Sequence, residues 1–171
     1  MENKLPERKR TRMKYFDYGR NGAYFITICT QERKKILADN MLVGDGVLDI
    51  PKMRLTEYGK IVEKNIKLIE KAKGVYVDKY VVMPNHIHLI IAIRNDVVEN
   101  GMSRTPSPTN AIIPHVISTF KRFCNKEIGK KIFQRSFHDH IIRNSDDYDK
   151  ISRYIYENPL IWEKDCFYEG K

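Results

Sequence analysis

The sequence is short of several things, and each shortage excludes a class of protein. Only three cysteines occur, Cys29, Cys124 and Cys166, odd in number and far apart. They match neither a disulfide framework nor a CxxC metal motif, so they read as reduced thiols of a cytosolic protein. Long apolar runs are missing too. The longest, Leu89 to Ile93, falls far below the ~20 residues needed to cross a bilayer. The opening from Met1 to Arg12 is polar and basic, without the apolar segment of a secretory signal. No internal repeat and no low-complexity tract breaks the chain. Acidic residues are outnumbered, 22 Asp and Glu against 31 Lys and Arg, for a formal charge of +9. Such an excess favours an anionic partner, nucleic acid first.

What is present describes an ordinary globular chain. The 171 residues are 42% hydrophobic and 31% charged, which is one domain's worth of sequence, 1–171, with enough apolar side chains for a core. Arg8, Arg10 and Arg12 belong to a basic arm over 1–20 that also carries Tyr15, Phe16 and Tyr18. This composition suits phosphate contact with bases stacked on the rings, and equally a solvated tail. Ala23 to Thr30 is β-branched and aromatic, and its near-continuous apolarity predicts a central strand. From Gln31 to Pro51, Gly44, Gly46 and Pro51 predict loops with one short strand.

Thr56 is a cap for a helix whose apolar residues Tyr58, Ile61, Val62, Ile66 and Ile69 recur at three- and four-residue intervals, with Gly74 as its stop. Val75–Val82 and His86–Arg94 read as strands joined by Met83-Pro84-Asn85, a link so short that it implies an antiparallel hairpin. The Gly- and Pro-containing stretch 95–109 reads as a mobile loop. Ile113, Val116, Ile117, Phe120 and Cys124 form a helical stripe, tolerating Pro114 only in the first turn. Lys121, Arg122 and Arg135 lie on and after this helix in a basic cluster that reinforces the case for an anionic partner and makes them, with Arg8, Arg10 and Arg12, candidate DNA contacts. Phe137 to Arg143 predicts a strand. A last helix is then capped by Ser145, carries Asp146 and Asp147 in its first turn, and stops before Pro159. The outline is an α+β domain, one antiparallel sheet covered by helices.

Two places carry chemistry. In a strand, alternate side chains share a face, so His86 and His88 stand together above the apolar set Ile87, Leu89 and Ile91. Two adjacent imidazoles can grip one cation. In the last helix Tyr154 and Asn158 are one turn apart on a single face, while Tyr156 points elsewhere. Taken singly, each has an ordinary explanation in packing or local hydrogen bonding.

The combination is more specific. Pro84-Asn85-His86-Ile87-His88-Leu89, then His138-Asp139-His140-Ile141-Ile142-Arg143, then Tyr154-Ile155 with Asn158-Pro159 resembles the REP-associated tyrosine transposases. These are a branch of the single-tyrosine HUH transposases of IS200-like elements. The resemblance runs from about Tyr24 to Pro159, with the motifs in the family's order. It implies a ferredoxin-like (RRM-like) fold and a metal-dependent endonuclease and strand transferase acting on single-stranded DNA near hairpins. It further implies Tyr154 as the nucleophile, His86, His88 and Asn158 as ligands of magnesium or manganese, and a monomer or homodimer. His140 and Arg143 match a family signature; strand packing and DNA contact are both open for them. Asn158 stands where insertion-sequence relatives use Gln and where the REP-associated branch uses Asn. Only a dozen residues follow Pro159, fewer than in relatives whose tail reaches back to the site, which argues against regulation by the tail. Two other readings compete. One is a binder of structured DNA or RNA that does not cut. The other is a zinc hydrolase, which needs a carboxylate beside the histidines where the adjacent residue is Asn85.

Overall fold

The computed structural model describes residues 21–43, 52–94 and 112–168. The basic arm and the 95–109 loop expected from sequence lie outside these residues.

Strand β1 (Gly22–Cys29) is central, as its apolarity predicts. It pairs antiparallel with β5 (His86–Ile93) on one side and β6 (His138–Ile142) on the other, and β4 (Val75–Val82) pairs with β5, for the order β4-β5-β1-β6. Helix α1 (Glu57–Leu68) connects β1 to β4, α2 (Ile112–Ile128) connects β5 to β6, and α3 (Ser145–Glu157) follows β6. Strands and helices in the order βαββαβ make the ferredoxin-like arrangement. A separate two-stranded ladder, β2 (Ala38–Val43) with β3 (Lys52–Leu55), is inserted between β1 and α1. The sequence predicts one strand there; the pairing supplies a second just beyond Pro51.

The alternation of strand side chains divides the sheet into two unlike faces. One is wholly apolar. Tyr24, Ile26 and Ile28 of β1 and Ile87, Leu89, Ile91 and Ile93 of β5 are buried against Val62 and Ile66 of α1 and Ile113, Ile117 and Phe120 of α2. Each such side chain removed from water contributes about 1.5–3 kcal/mol, so this layer is the main source of stability. The other face mixes polar and apolar groups. It carries His86, His88, Ile90, Phe25 and Thr27, and is covered by α3 through Ile155, by Met53 of β3 and by the segment after α3 through Trp162.

Helix ends follow local chemistry, with two departures from the sequence reading. Thr56 caps α1 by accepting from Gly59 N at 3.2 Å. The α-helix, however, gives way after Leu68 to a tighter turn over Ile69–Lys71, and Gly74 (φ 75°) serves the turn into β4 rather than the helix stop. At α3 the cap is Asn144, not Ser145: the Asn144 amide oxygen accepts from Asp147 N at 2.9 Å, so Ser145 becomes the first helical residue. Either residue type can cap, and Asn144 leads because the chain leaves β6 with extended backbone (φ −152°, ψ 174°) at that position. Pro114 falls in the first turn of α2, where it costs no hydrogen bond.

Gly59 shows how closely the ladder and α1 approach. A β-carbon there would sit 1.9 Å from the Leu37 carbonyl oxygen, a group that also accepts from Thr56 N at 3.0 Å. Helix propensity alone favours alanine over glycine by ~1 kcal/mol. The steric conflict is with backbone and is larger. Gly59→Ala is therefore expected to destabilise the protein by roughly 2 kcal/mol or more in chemical denaturation; a variant as stable as the parent would contradict this packing.

Candidate metal and tyrosine site

The pleat of β5 does what its sequence spacing predicts. The rings of His86 and His88 lie side by side with their Nε2 atoms 3.0 Å apart, and both residues are fully buried. Their other nitrogens are tied down. His88 Nδ1 meets Thr27 Oγ1 at 2.8 Å, because the β1–β5 register sets Thr27 directly opposite His88. His86 Nδ1 lies 2.8 Å from Asn85 Oδ1, while Asn85 Nδ2 donates to the Phe167 carbonyl at 2.8 Å. A carbonyl only accepts, so the Asn85 amide can face only one way. Its oxygen then requires a proton on His86 Nδ1, which leaves the Nε2 lone pair of His86 free. Burial lowers the pKa of His86 to about 4, with nearby Arg33 adding to the shift and Asp165 opposing it. His88 is driven down by burial and by its neighbour His86. Both rings are neutral at physiological pH.

Helix α3 brings its own pair to this point. Ile155 turns the apolar stripe of the helix onto the sheet, and that orientation brings Tyr154 to His88 and Asn158 to Asp165. Tyr154 Oη lies 3.3 Å from His88 Nε2 and donates to Asp165 Oδ2 at 3.0 Å. Asn158 is completely buried, and its Nδ2 donates to the same Asp165 oxygen. Its Oδ1 has no hydrogen-bond partner among the described residues. Burial first, then the Asp165 charge and hydrogen bond, raises the pKa of the Tyr154 phenol well above its ordinary value of 10.0.

The chain after α3 is part of the site, against the sequence expectation. A tight turn at Trp162–Lys164 reverses it, Asp165 is buried beside the histidines, and the Phe167 ring lies 4.6 Å from the His86 ring. A dozen residues are enough because the return path is short. Asp165 is the residue of this cluster that sequence reading missed. The available signal was composition: Trp162, Phe167 and Tyr168 within a short tail are more aromatic surface than a solvated end would carry.

These residues suit a cation. Ring nitrogens of His86 and His88 and a carboxylate oxygen of Asp165 all lie within 4.8 Å of one another. Two neutral imidazoles with convergent Nε2 atoms 3.0 Å apart match adjacent ligands on an ion with bonds of ~2.1 Å. The buried Asn158 oxygen, without a hydrogen-bond partner among the described residues, is a further neutral donor on the residue that Asp165 holds, and the hydrogen bonds to each Nδ1 are the outer partners that metal-bound histidines use.

The other residues singled out by sequence are dispersed. Lys121 is buried, and its ammonium donates to the carbonyls of Gln134 at 2.9 Å and Ser136 at 2.8 Å. That side chain fastens the turn before β6 and offers nothing to solvent, although burial lowers its pKa to about 8. Arg122 and Arg135 are exposed and line a cavity of about 450 Å³ with Ser118, Asn125, Lys131 and Phe137. His140 is on the histidine face, but its Nε2 pairs with Asp147 at 2.8 Å and joins β6 to the first turn of α3. Arg143 is exposed at the end of β6, and its backbone N–H donates to Asp147. Arg8, Arg10 and Arg12 lie outside the described residues. Among the described residues, no helix is long and apolar enough to cross a membrane.

Comparison with known proteins bears on the fold and the family. An uncharacterized protein of Haemophilus influenzae is 29% identical over 180 residues, spanning 96% of this chain and 94% of its own. A solved structure of a REP-associated tyrosine transposase bound to a REP hairpin superposes with a TM-score of 0.58 at 21% identity, covering 91% of this chain and 73% of that one; at that identity the likeness is one of fold. The profile of the family described as "Transposase IS200 like" matches residues 20–158, most of the chain with His86, His88, Tyr154 and Asn158 but not the segment after α3, and the protein therefore belongs to the IS200-like transposase family.

Proposed function

We propose that this transposase is a metal-dependent single-tyrosine nuclease and strand transferase of the REP-associated kind, acting on single-stranded DNA beside hairpins. One observation carries the reading: the Tyr154 hydroxyl sits 3.3 Å from His88 Nε2 and shares Asp165 Oδ2 with the Asn158 amide. His86, His88 and Asn158 would hold the ion, with Asp165 beside them. A divalent ion there supplies Lewis-acid polarisation of the scissile phosphate and stabilises the departing 3′ oxygen. Two imidazole donors favour manganese at least as well as magnesium.

The residues supply the rest. Tyr154 Oη attacks phosphorus, its O–H bond breaks as the P–O bond forms, and the bond to the 3′ oxygen breaks. The products are a 5′-phosphotyrosine and a 3′-hydroxyl, which takes its proton from solvent. Asp165 Oδ2 already accepts the phenol's hydrogen bond at 3.0 Å and is the nearest acceptor for the proton released. Because the phosphodiester energy is retained on the tyrosine, a second 3′-hydroxyl can reverse the step and join a new strand without ATP. The high pKa of the free phenol keeps the nucleophile protonated until a phosphate is in place. Hairpin DNA is the proposed substrate on two grounds, the +9 charge and the hairpin bound by the transposase of similar fold.

The hydrolase alternative gains its carboxylate in Asp165, but both Asp165 oxygens are occupied, by Tyr154 and Asn158 on one side and by Phe167 N on the other. The tyrosine reading explains those bonds and the hydrolase reading does not. Incubation with hairpin-bearing single strands and manganese should give a covalent protein–DNA adduct. Tyr154→Phe and addition of a chelator are each expected to lower its yield by ~10³-fold or more. Adduct from Tyr154→Phe at the parental rate would reject the nucleophile, and cleavage without adduct would favour hydrolysis.

The neutral imidazoles also set a pH dependence. An unfolded His86 titrates near 6.5, the folded one at about 4. Between those values the unfolded chain binds the extra proton, so stability that is complete above 6.5 is lost as the pH falls toward 4. The melting temperature of metal-free protein should drop across that window, and a flat profile in the parent would contradict a buried neutral pair.

A further inference from the structure

We infer that Asp165, on the segment after α3, is a positioning residue that fixes which end of the Asn158 amide faces the cation. The inference rests on the cation reading above and assigns a role that neither the histidine motif nor the helix motif contains. An amide has one end that can ligate a metal, Oδ1, and one that cannot, Nδ2. Neighbours decide which end points where. Asp165 Oδ2 is an acceptor, so the atom of Asn158 turned toward it is Nδ2. Oδ1 is thereby directed away, buried and without a hydrogen-bond donor among the described residues. Such orphaned acceptors are rare in folded proteins and call for an explanation.

The carboxylate is itself held in place. Its Oδ1 accepts from Phe167 N at 2.6 Å, and Asp165 N donates to the Trp162 carbonyl at 3.1 Å. Two residues on, the Phe167 carbonyl orients Asn85, and Asn85 in turn fixes the proton on His86 Nδ1. One three-residue stretch of the tail, 165–167, therefore sets the direction of lone pairs on two ligands that come from different elements, β5 and α3. The third bond of the network, from Tyr154 Oη to Asp165 Oδ2, ties the nucleophile to the same carboxylate.

The substitution Asp165→Asn changes the logic with almost no change in shape. With its Oδ1 retained by Phe167 N, the new amide presents Nδ2 to Asn158, which must turn its own Oδ1 toward it and away from the ion. Manganese affinity of the full chain, measured by calorimetry or by the resonance signal of free manganese, is expected to fall by ~10–100-fold. Asn158→Ala should cause a similar loss, and the double variant Asp165→Asn/Asn158→Ala should lose no more than about twofold beyond it. The reciprocal variant Asn158→Asp/Asp165→Asn restores an acceptor–donor pair with an oxygen free for the ion, and should recover affinity although it carries the same change at 165.

Parental affinity in Asp165→Asn overturns the inference, and so do losses that multiply in the double variant, which would make Asp165 a ligand in its own right. Failure of the reciprocal variant to recover affinity overturns it as well. If the parent binds no manganese, the cation reading fails together with this inference. If the parent binds it, His86→Ala abolishes binding and Asp165→Asn does not move it, only the inference fails.

Discussion

Two ring nitrogens facing one another across 3.0 Å of dry interior cannot both present bare lone pairs. Something positive must lie between them, either one proton shared by the rings or a cation. The remaining features of this region follow from that constraint. Thr27 and Asn85 occupy the outer nitrogens, and the apolar surroundings keep both rings uncharged, while the Asn158 oxygen on α3 is buried without a partner among the described residues. A proton relieves the repulsion between the two imidazoles but does nothing for Asn158. A cation held, as proposed, by His86, His88 and Asn158 would serve all three.

The fold makes such a site affordable by separating stability from chemistry. The face of the sheet under α1 and α2 is closed by aliphatic and aromatic side chains alone. That leaves the opposite face free to carry buried polar groups, which cost stability unless each finds a partner. Most of those partners come from distant parts of the chain: Thr27 from β1, Tyr154 and Asn158 from α3, Asp165 and Phe167 from the tail. The site therefore exists only when the whole domain is assembled, which suits chemistry that must be withheld from a partly folded protein.

Much of this was legible in the sequence, and the limits have physical causes. The two periodicities did their work. Period two placed His86 with His88, and the helical turn placed Tyr154 with Asn158. The order of apolar segments gave the sheet and its helices, with β1 in the middle. Asp165 was not legible, because its meaning depends on a chain reversal at Trp162–Lys164 that no periodicity announces. The cap at Asn144 was misplaced by one residue because Asn and Ser cap equally well and only backbone geometry separates them. Lys121 read as one of a basic cluster of candidate DNA contacts; it is buried, its ammonium donating to the carbonyls of the turn before β6. Charge composition reports how many cations there are, never which of them fold inward.

The most direct test of the account is crystallographic: crystals equilibrated with manganese, measured at a wavelength where manganese scatters anomalously. The account predicts one strong anomalous peak within bonding distance of His86 Nε2, His88 Nε2 and Asn158 Oδ1. A peak found only elsewhere on the protein, or a histidine pair that keeps its 3.0 Å contact with no ion between Asn158 and the rings, would contradict it.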